Sequence, residues 1–191
     1  MRKTNIISLT ESAVLVAFAT VLSMIKLWEA PLGGAVTLFS MVPIIVISYR
    51  RGIMAGILSG LCYSFIQLIL GVSNLSYIPS AFGVICGALF DYIVPFTILG
   101  AAGLVSSLPI ASHKLRAALG TLAVCILRFI SHFAVGGFIW YEITKNLGWN
   151  EYVTTVGTWT YSFVYNITYL LPEIVICIIG VVLLPKKFYE K

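Results

Sequence analysis

Four ionisable side chains stand inside long apolar runs of this sequence: Asp91, Arg128, His132 and Glu173. Such a group at mid-membrane depth is costly unless it is paired or lines a cavity. Asp91 and Glu173 can accept hydrogen bonds or hold a proton, His132 can donate or accept, and Arg128 only donates. Tyr92, Tyr161, Tyr165, Tyr169 and Asn166 keep them polar company. This set has the chemistry of a small-ligand site, a proton site or a structural ion pair. Catalysis is a poor reading. The chain has no HExxH, GxSxG or GxxxxGK[ST] motif, and His132 has no serine nucleophile and acid beside it. No catalytic residue is assigned, and no cofactor is expected. Without a P-loop, uphill work must draw on a partner or an ion gradient.

The elements that hold these residues belong to lipid. The chain has 191 residues, 60% apolar and 10% charged, with a mean hydropathy of +1.02. Soluble domains are about 45–50% apolar and 25% charged. Apolar runs lie at about 9–28, 36–49, 53–71, 79–107, 115–140 and 156–184. A spanning helix needs about 20 residues, and backbone groups in lipid must be satisfied within the segment. The fold class expected is an all-α membrane protein, a bundle of six transmembrane helices forming a single domain over 1–191. The runs are continuous rather than alternating, which disfavours a β-barrel.

Orientation follows from lysine and arginine. With the N-terminus inside, the inner segments hold Arg2, Lys3, Arg50, Arg51, Lys114, Arg116, Lys186, Lys187 and Lys191, and the outer ones only Lys26 and Lys145. The positive-inside rule places both termini in the cytoplasm of a multi-pass plasma-membrane protein. The net charge of +5 therefore reflects membrane orientation, and no nucleic-acid partner is expected. The opening MRKTNIISLTES is not expected to be a cleavable signal.

Trp28, Tyr77, Trp140, Tyr141, Trp149, Tyr152, Trp159 and Tyr161 fall near the outer ends of the runs. They read either as an interfacial belt or as the walls of an outward pocket; the inner side offers little beyond Tyr49 and Tyr189. As a helix, run four puts Asp91 about 18 Å below its outer start, and run five puts His132 about 12 Å down with Arg128 one turn deeper. Asp91, His132, Tyr161 and Asn166 are thereby expected to converge in the outer half of the bundle. An Asp91–Arg128 ion pair is the competing structural reading. Tyr165 and Tyr169 read as packing, and Glu173, behind Pro172, lies in a kink or faces a partner. Cys62, Cys86, Cys125 and Cys177 all sit in apolar runs without a CxxC, so they read as small buried residues rather than a disulfide or metal site. Ala13 and Ala17, four apart on helix one, let another helix approach, either within the bundle or from a partner.

Taken in order, several pieces resemble the thiamine-specific substrate-binding subunit (S-component) of energy-coupling-factor transporters. They are Leu9-Thr-Glu-Ser-Ala13, Pro43-Ile-Ile-Val-Ile-Ser-Tyr-Arg-Arg-Gly52, Leu89-Phe-Asp-Tyr92, Arg128-Phe-Ile-Ser-His132 leading to Trp140, and Tyr161-Ser-Phe-Val-Tyr-Asn-Ile-Thr-Tyr-Leu-Leu-Pro-Glu173. The resemblance implies a six-helix bundle with an outward pocket for thiamine and no ATPase activity. It implies that Asp91, beside Tyr92, holds the aminopyrimidine and that His132 and Trp140 lie by the thiazolium. Tyr161 and Asn166 would complete the pyrimidine end. Ala13 and Ala17 would dock on a transmembrane scaffold subunit that works with two ATPases. The same architecture with a thiamine precursor or another vitamin, and a self-sufficient proton-coupled transporter using Asp91 or Glu173, remain as alternatives.

Overall fold

The computed structural model describes residues 2–148 and 151–189, with side chains from residue 6 onward. Trp149 and Lys191, and the side chains of Arg2 and Lys3, lie outside the described residues. Among those described, five helices are long and apolar enough to cross a membrane. We label them α1 (Arg2–Met24), α3 (Ile53–Leu70), α4 (Ala81–Ser107), α5 (His113–Leu147) and α6 (Thr158–Leu183). Between α1 and α3 lie β1 (Lys26–Glu29), β2 (Ala35–Thr37) and the 10-residue helix α2 (Val42–Arg51). Their outward faces carry exposed apolar side chains such as Phe18, Leu58, Phe65, Phe82, Ile126 and Phe163. Contiguous apolar exposure of this kind fits lipid rather than water.

The hairpin corrects the all-helical expectation. The first run does not stay helical to residue 28, and the second does not start as helix at 36. β1 and β2 pair antiparallel, Trp28 opposite Val36 and Glu29 opposite Ala35. The turn between them uses Gly33 at φ 94° and Gly34 at φ 86°, values that favour glycine. A Cβ on Gly34 would sit 2.6 Å from the Tyr169 ring, so the hairpin also needs glycine for its close approach to α6. Phe39, at φ 61°, breaks the chain again before α2 begins.

At about 1.5 Å per residue, α2 is roughly 15 Å long and spans half of a ~30 Å core. Its first six residues, 42–47, are all apolar and all buried. Met41, Ile44, Ile45 and Ile47 have no exposed surface. They form the main core with Tyr63, Leu99, Cys125 and Val181. Ser48 on α2 donates to the Gly100 carbonyl at 2.5 Å and accepts from the Gly103 amide at 2.9 Å. A Cβ on Gly56 would lie 2.4 Å from that same carbonyl. Small residues thus let α2, α3 and α4 cross closely. At the end of α2, Glu11 of α1 bridges Arg50 at 2.7 Å and also Arg51. Of the cysteines, Cys125 and Cys177 are buried as expected, whereas Cys62 is exposed and Cys86 half-exposed, and all four are free.

Two of the long helices contain a π turn. In α4 it covers Ala88–Ile93, just before Pro95. Proline has no N–H and its ring crowds the carbonyl four residues back, which here is that of Asp91. In α5 it covers Gly136–Trp140, where two glycines relax the backbone. Single π turns inside α-helices frequently mark functional positions.

Candidate ligand-binding site

The π turn of α5 sets a side-chain register. On a regular α-helix a face recurs about seven residues on, because two turns take roughly 7.2 residues. One extra residue in a π turn moves that recurrence to about eight. His132 and Trp140 are eight apart, and the turn brings both to one carboxylate. The Trp140 indole Nε1 donates to Asp91 Oδ2 at 2.7 Å, and His132 Nδ1 lies 3.0 Å from Asp91 Oδ1. Arg128 Nε donates to His132 Nε2 at 3.3 Å. A guanidinium has no acceptor, so Nε2 carries the lone pair and Nδ1 the hydrogen. His132 is therefore neutral and donates to Asp91. The imidazole stands between Asp91 and Arg128, which make no direct ion pair. The Arg128 guanidinium sits 4.5 Å from the centre of the Phe96 ring and also donates to the Met41 sulfur.

Asp91 is no lipid-facing carboxylate: its side chain is 13% exposed and that of His132 is 9%. Both line a cavity of about 350 Å³, with Tyr92, Trp140 and Asn166. This volume lies within the usual range for small-molecule sites, about 300–1,000 Å³. Tyr92 closes one side, its hydroxyl donating to the Gly71 carbonyl at 2.9 Å. Asn166 ties α6 to α5: its amide Nδ2 donates to the His132 carbonyl at 3.3 Å, and its Oδ1 accepts from Tyr169 at 2.6 Å.

Residues 9–191 match a protein family described as thiamine transporter protein. Thiamine transporter ThiT of Bacillus subtilis (strain 168) is 30% identical over 186 residues, covering 94% of this chain and 91% of that protein. The chain belongs to the thiamine transporter protein family. That is a family of transporters, so the chain is not an enzyme. In fold it is similar to a solved structure of ThiT from Listeria monocytogenes, with a TM-score of 0.73, 22% identity, and coverage of 98% of this chain and 100% of that one.

Within this family member, the structure does not bring Tyr161 to the cavity with the rest. Its hydroxyl pairs with Thr144 at 2.7 Å. It lines a second, mainly apolar pocket of about 270 Å³ with Trp28, Leu32 and Tyr152. Tyr165 borders both spaces and stacks on Tyr161 at 5.7 Å. Residues read as packing do more than pack. The Tyr165 hydroxyl donates to the Gly33 carbonyl at 2.8 Å and accepts from the Leu32 amide at 3.2 Å, which fixes the hairpin turn to α6. Tyr169 lines the cavity beneath the same turn. Spacing held a signal for them: 165, 169 and 173 are four apart, one face of a helix.

Two other elements contribute: the hairpin, with Gly33 and Gly34, which as a glycine pair read only as suited to close helix packing, and with Ser40; and the end of α3, with Gln67 and Asn74 near it. Glu173 also lines the cavity, with Oε1 accepting from Thr37 at 2.7 Å. It faces the hairpin rather than an external partner. The ionisable lining residues are Lys26, Glu29, Asp91, Arg128 and Glu173, together with neutral His132. Lys26 and Glu29 pair with each other at 2.5 Å, leaving two carboxylates against one guanidinium. Such a lining attracts a cation. Among the described residues no group of His, Cys, Asp and Glu is suited to hold a metal ion.

Proposed function

We propose that this chain is the substrate-binding subunit of an energy-coupling-factor importer and captures thiamine in the cavity built around Asp91. The observation that carries the reading is a largely buried carboxylate held by His132 and Trp140 in an electronegative, partly aromatic cavity. Thiamine is a cation with two flat rings and an exocyclic amine. Asp91 neutralises charge and accepts from the amine, since charge-assisted hydrogen bonds are the stronger ones. Trp140 supplies an aromatic surface for the thiazolium. Tyr92, His132 and Asn166 shape the same space, and Tyr161 acts on it indirectly, through the Tyr165 ring. The family relationship supports the same ligand.

In this reading the bundle has six helices, with the short α2 completing it, and both termini are cytoplasmic. The cavity opens to the outside. Ala13 and Ala17 lie on the exposed face of α1, whereas Ser12, Val16 and Ala19 are buried. That small-residue face is where a transmembrane scaffold subunit docks, bringing two ATPases that supply the energy. Titrating thiamine into the purified, folded protein while following tryptophan fluorescence tests the reading. Saturable quenching at micromolar ligand or below is expected, and a flat titration rejects it.

A further inference from the structure

Beyond the Asp91 group the cavity has another polar end. Glu173 follows Asn166 by seven positions on α6, about 10 Å further along the axis, and lines the same cavity. It is 2% exposed. While its Oε1 accepts from Thr37, its Oε2 is buried and has no hydrogen-bond partner among the described residues. The same holds for the hydroxyl of Tyr63, a fully buried residue of α3 on the same cavity wall. Ser40, whose hydroxyl is paired with Thr37 at 2.6 Å, lies within weak hydrogen-bonding reach of both. Asp91, by contrast, has both oxygens engaged. The wholly unused carboxylate oxygen of the inner cavity therefore belongs to Glu173. Buried polar groups left unpaired are destabilising, so this end is built for a group that serves an acceptor and a donor together.

Resting on the thiamine reading above, we infer that Glu173 and Tyr63 form a specificity subsite for the ligand's terminal hydroxyl. The hydroxyl of the two-carbon arm donates to Glu173 Oε2 and accepts from the Tyr63 hydroxyl. A hydroxyl offers both a hydrogen and lone pairs. A phosphate ester in its place brings acceptor oxygens and negative charge toward a carboxylate. The subsite selects the free alcohol over its phosphate ester and over an analogue with no hydroxyl. A site built around a substrate hydroxyl discriminates sharply, because its own buried groups are otherwise left unpaired.

The test is calorimetric titration of the full-length protein in detergent, its fold checked by circular dichroism. The ligands are thiamine, the analogue with ethyl in place of hydroxyethyl, and thiamine monophosphate. In the wild type, both analogues are expected to bind at least tenfold more weakly than thiamine. Tyr63→Phe is expected to narrow the gap to the ethyl analogue at least threefold, and Glu173→Gln the gap to the monophosphate. If the ethyl analogue binds the wild type as tightly as thiamine, the subsite is overturned and the vitamin reading stands. Unchanged gaps in both variants also overturn it. If thiamine itself does not bind the folded wild type, the vitamin reading falls and the subsite with it. Should Glu173→Gln fail to fold, the wild-type comparison and Tyr63→Phe still decide.

Discussion

Trp140 and His132 divide the carboxylate of Asp91 between them, one oxygen each, at 2.7 and 3.0 Å. The carboxylate is thereby fixed in place before any ligand arrives, and pre-organisation of this kind lowers the cost of binding. Asp91→Ala removes both the charge and the anchor of the indole. Thiamine affinity is expected to fall at least tenfold, about 1.4 kcal/mol, in a fluorescence titration.

Trp140 contributes a ring and an N–H, and two substitutions separate them. Trp140→Phe keeps an aromatic face and loses the hydrogen bond to Asp91, whereas Trp140→Ala loses both. Isothermal titration is expected to rank affinity wild type, then Phe, then Ala, with Ala at least tenfold below wild type. Equal affinity for the Ala variant would remove this residue from the site.

Arg128 is buried against Phe96, Met41 and His132. Arg128→Met fills similar space and takes away the cation that offsets two carboxylates. Removing it leaves two carboxylates in the interior without a neutralising charge, which is destabilising. A large drop in the thermal unfolding midpoint is expected, larger than for any substitution on the lipid-facing surface.

Glycine substitutions distinguish strain from collision. Gly148 has φ 62° with open space around it, whereas Gly34 has φ 86° and the Tyr169 ring within 2.6 Å of a built Cβ. Gly148→Ala is expected to cost about 1 kcal/mol in stability and nothing in affinity. Gly34→Ala must displace the hairpin from α6 and is expected to weaken thiamine binding as well. Thermal unfolding and titration on both variants check this.

Ala13→Leu with Ala17→Leu changes only the exposed face of α1. If that face meets the proposed scaffold, thiamine binding to the purified protein is expected to be unchanged, while thiamine uptake by cells carrying the variant is lost. Uptake at wild-type rate would remove α1 as the docking face.

Much of this architecture is legible in the sequence because lipid demands long apolar runs. Asp91, His132 and Asn166 stand out because polar groups there need a reason. The hairpin is not legible in the same way. Lys26 and Glu29 put charge at both ends of β1, which marks the end of an apolar run without marking a strand, and Val36 and Thr37 read as the start of the next run. Gly33 and Gly34 mark a turn but not what it packs on. The π turns are equally hidden, since one extra residue leaves no trace in composition. Tyr161 was expected at the cavity and Tyr165 and Tyr169 in packing; Tyr165 and Tyr169 line the cavity, and Tyr161 lines the second pocket beside it. All three share one stripe of α6, and only the position of the hairpin decides which of them meets the cavity.

The brevity of α2 has a consequence for passage through the protein. A full-length helix there would occupy the volume that the cavity takes. Instead Ser40, just ahead of α2, lines the cavity, and the helix beyond it is a stopper of fully buried residues, Ile44, Ile45 and Ile47. A molecule held in the cavity meets this packed layer beyond Ser40. For it to travel further toward the other side of the membrane, these fully buried residues must part from the core they form with α3, α4, α5 and α6.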